Sequence, residues 1–184
     1  LTDQKGLDLV ECVLDQICAE DVQLVVLGTG EGKYQDMFTY YSRKYPERVS
    51  ANIFYSEALS HRIYASCDAF LMPSLFEPCG LSQLMSLRYG TLPIVRETGG
   101  LKDTVIPYNE YEGGLRDTVT PYNEVDGTGT GFSFTNYNAH EMLAIIRYAK
   151  KTYFNDRRAW NEMVLRAMKQ DFSWDASARE YEKL

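Results

Sequence analysis

Four short apolar runs, each followed by a turn and then by a helical pattern, constrain the fold of this chain most strongly. The runs cover residues 23–27, 49–55, 68–72 and 91–95, which are lengths typical of strands. Strands that alternate with helices in this way form a parallel sheet with helices on both faces. The sequence therefore predicts a doubly wound, mostly parallel, Rossmann-like α/β domain, in which run 23–27 is covered on both faces and run 68–72 is a buried strand. Among the helical patterns, Ser56 is a candidate cap for a helix with Leu59, Ile63 and Ala65 as its buried stripe, and a last helix is expected from about residue 172 to Leu184.

The segment after the third run is the strongest candidate for a functional site. It reads PSLFEPCGLSQL over residues 73–84 and leads from the predicted strand into a predicted helix. Such turns lie at the carboxyl ends of parallel strands, where ligands bind. The free N–H groups of Gly80, Leu81 and Ser82 would open the helix and provide a site for phosphate. Glu77 precedes that positive helix end, so its carboxylate would repel a phosphate unless it faces another group, such as a sugar hydroxyl.

These residues alone leave two other interpretations open. Glu77 and Pro78 could simply shape the start of a helix. The glycines at residues 28–32 suggest a dinucleotide site, but the fingerprint requires a glycine at position 33, where Lys33 stands. A dehydrogenase is therefore a distant alternative, and the glycines indicate a strand-to-helix loop near the same crevice.

Composition excludes several classes of protein. A length of 184 residues with 45% hydrophobic and 24% charged residues suits one globular domain. The net charge of -7 argues against a nucleic-acid surface, which needs clustered Lys and Arg. No apolar run reaches the roughly 18 residues of a membrane helix, and no signal pattern opens the sequence. We expect a soluble, cytoplasmic chain whose four cysteines are reduced and packed, with neither disulfides nor a metal site.

Three motifs in the same order and spacing carry a resemblance to a known family. They are PSLFEPCGL at residues 73–81, YGTLPIV at residues 89–95, and TGGL followed by DTV at residues 98–105. Together they closely resemble the bacterial glycogen synthase and starch synthase family, and the resemblance extends over nearly the whole chain. It implies the C-terminal, donor-nucleotide-binding half of a two-domain GT-B glycosyltransferase.

The resemblance also implies roles for individual residues. Lys5 matches a family lysine that contacts the donor phosphates, and Glu77 matches the glutamate that orients the glucose. Tyr55 matches a tyrosine whose ring lies against the adenine, as the flat face of a tyrosine can do. The positions implied to bind the donor are Tyr55, Cys79, Gly80, Leu81, Ser82, Gly99 and Gly100.

The implied reaction transfers glucose from ADP-glucose to the nonreducing end of an α-1,4-glucan, with retention of configuration and without a metal or other cofactor. The acceptor-binding N-terminal half is absent, so we expect no turnover by this chain alone. Met85 stands eight positions after Glu77, where some retaining families have a second glutamate, so a paired-carboxylate mechanism is not supported. A UDP-sugar transferase domain and a noncatalytic nucleotide-binding or structural module remain alternatives.

A tandem duplication departs from the family pattern. Residues 99–112 and residues 113–126 are identical at ten of fourteen aligned positions. Only one copy can occupy the family's position beside the phosphate turn. Gly99 and Gly100 directly follow a strand, so we expect the first copy to take that position and the second to loop out. In the competing register, the second copy takes the downstream role before the glycine-rich loop at residues 127–131.

Overall fold

The computed structural model describes residues 1–105, residue 107 and residues 129–175 of the chain. A single 3-10 turn at Asp3–Lys5 precedes the first helix. The helices are α1 Leu7–Ala19, α2 Gly32–Lys44, α3 Glu57–Ser66, α4 Ser82–Tyr89, α5 Gly99–Thr104, α6 Ala139–Asn155 and α7 Arg157–Lys169. The strands are β1 Leu24–Leu27, β2 Val49–Asn52, β3 Ala69–Met72, β4 Leu92–Arg96 and β5 Phe132–Phe134.

All strand pairings within the described residues are parallel, but the strands form two sheets. β1 pairs with β2 in a register that matches Leu24 with Val49 and Leu27 with Asn52. In the second sheet, β4 lies between β3 and β5. The predicted doubly wound, parallel α/β architecture is therefore confirmed, while its sheet is divided between β1 and β3.

The strands differ in burial more than the sequence predicts. Residues 92–95 of β4 and all of β5 are buried, as a strand covered on both faces should be. In contrast, Val25 of β1 is 39% exposed, and residues 69–71 of β3 are only half-buried. The predictions that run 23–27 is covered on both faces and that run 68–72 is buried are wrong, because β1 and β3 each have one edge without a strand neighbour in the described chain.

Helical periodicity accounts for the main hydrophobic core. Apolar residues recur every three or four positions in α1, α6 and α7, so each helix turns one apolar stripe inward. These stripes pack with the buried side chains of β4 and β5. The core side chains supplied by the three helices are Leu9, Val10, Val13, Leu14, Ile17, Met142, Leu143, Ile145, Ile146, Ala149, Trp160, Met163 and Ala167.

Two elements differ from their predictions. Ser56 caps α3, as predicted, by accepting a hydrogen bond from the N–H of Leu59 (3.2 Å). However, no residue of α3 is fully buried, and Ala65 of the predicted apolar stripe is exposed. β2 ends at Asn52 instead of continuing to residue 55, and the side-chain amide of Asn52 donates to the carbonyl oxygen of Val26 (3.2 Å).

Part of the sequence lies outside the described residues. The second repeat, residues 113–126, is in that part, and so is the predicted last helix beyond residue 175. In the described ranges, no helix combines the length and apolar character needed to cross a bilayer.

A carboxylate at the end of α1 ties this helix to α6. Glu20 accepts from Arg147 Nε through Oε1 (2.6 Å) and from Lys150 Nζ through Oε2 (2.5 Å). The hydrogen bonds from these two cations, Lys150 first, lower the pKa of Glu20 below its ordinary value. Its side chain is largely covered, so this link between two core helices should contribute to stability.

We expect Glu20→Gln to lower the free energy of unfolding by about 1 kcal/mol at neutral pH. A lowered folded-state pKa gives stabilisation that is complete above the unfolded pKa of about 4.3. It is lost as the pH falls through the pKa of the folded state. Urea unfolding at several pH values measures the effect, with exposed Glu47→Gln as the control. A deficit that does not shrink on acidification would contradict this explanation.

Candidate functional site

The predicted site residues gather at one edge of the strands. Parallel strands present their carboxyl ends on the same side, and the loops there bind ligands. Tyr55 lies in the loop between β2 and α3, and residues 73–81 connect β3 to α4. Gly99 opens α5 shortly after β4, and Lys5 ends the 3-10 turn before α1.

An ion pair joins the two predicted catalytic residues. Lys5 Nζ lies 2.5 Å from Glu77 Oε2, and Ser74 Oγ donates to the same oxygen at 3.4 Å. Glu77 is buried, whereas the Lys5 side chain is 46% exposed. The pair neutralises the carboxylate in front of α4, so the repulsion between Glu77 and a phosphate expected from the sequence is reduced.

Backbone contacts hold the Glu77 loop against the N-terminal turn. The N–H of Leu75 donates to the carbonyl oxygen of Gln4 (2.9 Å), and Gln4 Nε2 donates to the carbonyl oxygen of Phe76 (3.1 Å). Gly6 has φ +69°, and a Cβ there would lie 2.0 Å from the carbonyl oxygen of Pro73. Glycine is therefore required where the turn meets the loop, and this close approach positions Lys5 beside Glu77.

Arg96, which the sequence analysis missed, fixes the same loop from the end of β4. Its Nε donates to the carbonyl oxygen of Ser74 (2.9 Å), and its guanidinium also donates to the carbonyl oxygen of Leu75. The guanidinium carbon lies 5.6 Å from the ring centroid of Tyr137, whose hydroxyl donates to Asp8 (2.5 Å). Burial and that hydrogen bond raise the pKa of Tyr137. The sequence signal that could have identified Arg96 is its position as a cationic residue at the end of an otherwise apolar strand.

The residues predicted to bind phosphate, 80–82, lie where the loop after β3 enters α4. Gly80 has φ +71°, and the helix begins at Ser82. The first N–H groups of a helix have no intrahelical partner, and those of the N-cap residue Leu81 and of Ser82 are among them. Their role in binding phosphate stays a prediction. Leu81 and Cys79 are exposed, which leaves the approach to this helix end open.

Gln83, which was also not predicted from the sequence, supports the turn between β3 and α4 from the interior of the domain. Its side chain is fully buried, and Nε2 donates to the carbonyl oxygen of Cys79 (3.0 Å) and to Thr104 Oγ1 (3.3 Å). Gln83 Oε1 has no hydrogen-bond partner among the described residues. A Cβ at Gly80 would lie 2.3 Å from that oxygen, so Gly80 leaves room for the amide.

The glycines at the start of α5 pack directly on the Glu77 turn. Gly99 has φ +46°, and a Cβ there would lie 2.1 Å from the carbonyl oxygen of Glu77. The N–H of Gly100 is shared between the carbonyl oxygens of Glu77 and Pro78, both at 3.2 Å. A Cβ at Gly100 would lie 2.4 Å from the carbonyl oxygen of Cys79. The first copy of the repeat thus begins beside the predicted phosphate turn.

The structure therefore brings most of the predicted site together. The Lys5–Glu77 pair, the turn after β3 and the first residues of α5 form one contiguous group. Tyr55 lies in a separate loop on the same edge, and the residue is 82% exposed. This exposure would let a planar ligand pack against the tyrosine ring.

The contacts of Arg96 lead to a prediction for stability. Arg96→Lys keeps the charge but loses the fork that reaches two carbonyl oxygens, so we expect the free energy of unfolding to fall by about 2 kcal/mol. Urea unfolding measures this loss, with Arg62→Lys on the exposed surface of α3 as the control. Equal stability of the two variants would show that Arg96 does not hold the loop.

Comparisons with known proteins identify the family and the fold of this chain. The family model for glycosyl transferases group 1 matches residues 1–164. The chain is 70% identical to the glycogen synthase of Lachnospira eligens and 62% identical to that of Lachnoclostridium phytofermentans; each match covers 100% of this chain and 36% of the relative. The fold is similar to the catalytic domain of starch synthase IV from Arabidopsis thaliana bound to ADP and acarbose, with TM-score 0.83, 33% identity, and coverage of 100% of this chain and 36% of that one.

This chain thus spans about a third of the length of the relatives it matches. The resemblance to glycogen and starch synthases, inferred from the motifs at residues 73–105, is confirmed over the full chain. Because the family model covers most of its residues, the chain belongs to the glycosyl transferases group 1 family.

Proposed function

We propose that this chain is the donor-binding domain of a retaining glycosyltransferase that moves glucose from ADP-glucose to the nonreducing end of an α-1,4-glucan. The observation that carries the proposal is the Lys5–Glu77 ion pair, which lies in front of α4 at the carboxyl edge of the strands. Its setting in a chain 70% identical to a glycogen synthase supports the choice of reaction. A cytoplasmic location belongs to the same proposal.

The charges of the site suit a nucleoside diphosphate as leaving group. In the proposed reaction, the bond between glucose C1 and the diphosphate oxygen breaks, and C1 bonds to the acceptor hydroxyl oxygen, which loses its proton. Negative charge grows on the diphosphate as it leaves. The Lys5 ammonium and the N–H groups at the start of α4 would stabilise that charge.

Glu77 has a different role in this proposal. The carboxylate is buried, and it is held by Lys5 and Ser74 rather than by solvent. A fixed acceptor of this kind would receive a hydrogen bond from a glucose hydroxyl and orient the sugar. Tyr55 would pack against the adenine, and Gly99 with Gly100 would hold the turn that contacts the donor. No metal or cofactor is required for these roles.

We also propose that catalysis needs a second, acceptor-binding half. The chain spans 36% of its glycogen synthase relatives, so the acceptor-binding half would come from the rest of a longer protein. Since transfer requires both halves closed around the substrates, we expect no glucan elongation by these 184 residues alone. Measurable incorporation of glucose into a glucan would contradict this expectation.

Calorimetric titration with ADP tests the donor-binding role. We expect the chain to bind ADP, and Lys5→Ala to weaken binding by about tenfold because one charge-assisted contact to phosphate is lost. Glu77→Ala should not weaken ADP binding, because ADP carries no glucose and loss of the carboxylate leaves Lys5 free to contact phosphate. Exposed Lys169→Ala is the control for a general change in charge.

The outcomes separate the alternatives. A folded chain that does not bind ADP would favour a noncatalytic module. Tighter binding of UDP than of ADP in a competition titration would favour a UDP-sugar transferase. Equal losses for Lys5→Ala and Lys169→Ala would remove Lys5 from the site.

A further inference from the structure

The Lys5–Glu77 pair is assembled from two segments that lie far apart in the sequence. Lys5 ends the 3-10 turn before α1, and Glu77 lies in the loop between β3 and α4. The ammonium and the carboxylate meet at 2.5 Å only while the turn and the loop keep their relative position. A side chain that contacts the supports of both segments would fix that position.

Tyr137, in the loop between β5 and α6, makes two contacts of this kind. Its hydroxyl donates to Asp8 Oδ1 (2.5 Å), and the guanidinium carbon of Arg96 lies 5.6 Å from its ring centroid. The residue is half-buried. A tyrosine can bind through its polar tip and its ring at the same time, so one side chain contacts both the start of α1 and the end of β4.

The contact with Asp8 restrains the part of the chain that carries Lys5. Asp8 lies in the first turn of α1, three residues after Lys5. Between them, Gly6 approaches the loop after β3 so closely that a Cβ there would lie 2.0 Å from the carbonyl oxygen of Pro73. Helix ends fray more readily than helix interiors. A hydrogen bond from Tyr137 to the first turn therefore opposes movement of Lys5.

The contact with Arg96 acts on the segment that carries Glu77. Arg96 donates to the carbonyl oxygens of Ser74 (2.9 Å) and Leu75, and Ser74 Oγ donates to Glu77 Oε2 at 3.4 Å. The ring of Tyr137 lies within the distance at which an aromatic ring attracts a guanidinium. This attraction favours the orientation in which Arg96 reaches both carbonyl oxygens.

A second tyrosine holds the turn on its other side. Tyr34 of α2 donates to Asp3 Oδ1 (2.5 Å), two residues before Lys5. Burial, and then the hydrogen bond to Asp3, raise the pKa of Tyr34 to about 12, so this phenol stays protonated and remains a donor at neutral pH. Tyr34 ties the turn to α2, whereas Tyr137 ties α1 to β4 through Arg96.

We propose that Tyr137 is a positioning residue for the Lys5–Glu77 pair. Its hydroxyl holds the start of α1, its ring supports Arg96, and the two contacts together set the separation of the ammonium and the carboxylate. The consequence for the donor rests on the proposed function, because a displaced Lys5 would contact a diphosphate less well.

Hydrogen exchange at one backbone amide tests the positioning without any ligand. The N–H of Leu75 donates to the carbonyl oxygen of Gln4 (2.9 Å), so it reports on the contact between the loop and the turn. Tyr137→Phe keeps the ring and removes the hydroxyl, and we expect Leu75 to exchange about three- to tenfold faster. Leu92, whose N–H donates to Asp68 (3.0 Å) at the other end of β4, should keep its rate.

Two further variants are the controls for this measurement. Tyr45 donates to Asp15 Oδ1 (2.8 Å), also on α1 but about two turns beyond Asp8. Tyr45→Phe therefore removes the same kind of bond far from the turn and should leave exchange at Leu75 unchanged. Asp8→Asn retains an oxygen that can accept from the tyrosine hydroxyl, so it should also leave this rate within about twofold of the original.

ADP calorimetry shows whether the positioning acts through Lys5. We expect Tyr137→Phe to weaken ADP binding about threefold in the original chain and not at all in the Lys5→Ala variant. A hydroxyl that only stabilised the fold would have the same effect on ADP binding in both backgrounds.

The outcomes are distinct. Unchanged exchange at Leu75 in Tyr137→Phe, or equal acceleration at Leu75 and Leu92, would overturn the proposal. Equal losses of ADP affinity with and without Lys5 would also overturn it. Faster exchange confined to Leu75, in a chain that does not bind ADP, would support the positioning of the pair and would reject the proposed donor-binding function.

Discussion

Gly99→Ala is expected to destabilise the chain by about 3 kcal/mol or more and to weaken ADP binding at least about tenfold. The residue has φ +46°, which alanine adopts only with strain. Its Cβ would also lie 2.1 Å from the carbonyl oxygen of Glu77. That contact is with backbone, so relief requires movement of the turn that carries the site's carboxylate.

Gly32→Ala is the matched control for this substitution. Gly32 begins α2, and a Cβ there would meet nothing within 4 Å. We therefore expect it to stabilise the chain slightly, by about 0.5 kcal/mol. Urea unfolding and ADP calorimetry on both variants separate the two cases. Similar results for Gly99→Ala and Gly32→Ala would show that α5 does not pack against the Glu77 turn.

Trp160→Ala is the second substitution with a large expected effect, a loss of about 3–5 kcal/mol in the free energy of unfolding. Trp160 is buried in α7, where its ring stacks on Phe132 at 5.8 Å between centroids. It also meets Tyr153 edge-on at 5.1 Å. Truncation would leave a void between α6, α7 and β5 and would remove two aromatic contacts.

The chain's other tryptophan supplies the control. Trp174 is 91% exposed, so Trp174→Ala should change stability by less than about 0.5 kcal/mol. Circular dichroism of the helices in urea measures unfolding of both variants, because the tryptophan left in Trp160→Ala is already exposed to solvent. Comparable losses for the two variants would contradict the placement of Trp160 in the core.

The local pattern of the sequence was enough to predict most elements of this fold, although it did not reveal the short strand β5. The apolar spacing in α1 and α6 places one stripe inward, and the structure buries those side chains. Ser56 caps α3 because a short side-chain oxygen precedes the helix. These features depend on residues within a few positions of each other, which is the distance over which periodicity and capping rules apply.

Features that depend on distant residues were not predictable in this way. Lys5 and Glu77 were each assigned to the site by resemblance, but their ion pair joins residues 72 positions apart. The hydrogen bonds from Arg96 to the loop after β3 cross between strands, and no local pattern indicates them. The divided sheet was also missed, because the length and apolarity of a run do not reveal whether both edges have neighbours.

The contacts of Arg96 have a consequence for how this sequence can vary. The guanidinium binds carbonyl oxygens of Ser74 and Leu75, which every amino acid possesses. The exposed side chains of Leu75 and Phe76 are therefore not needed to hold the loop in place. Substitutions at these two positions can accumulate without displacing Glu77, so the surface around the site is free to diverge while the carboxylate keeps its position.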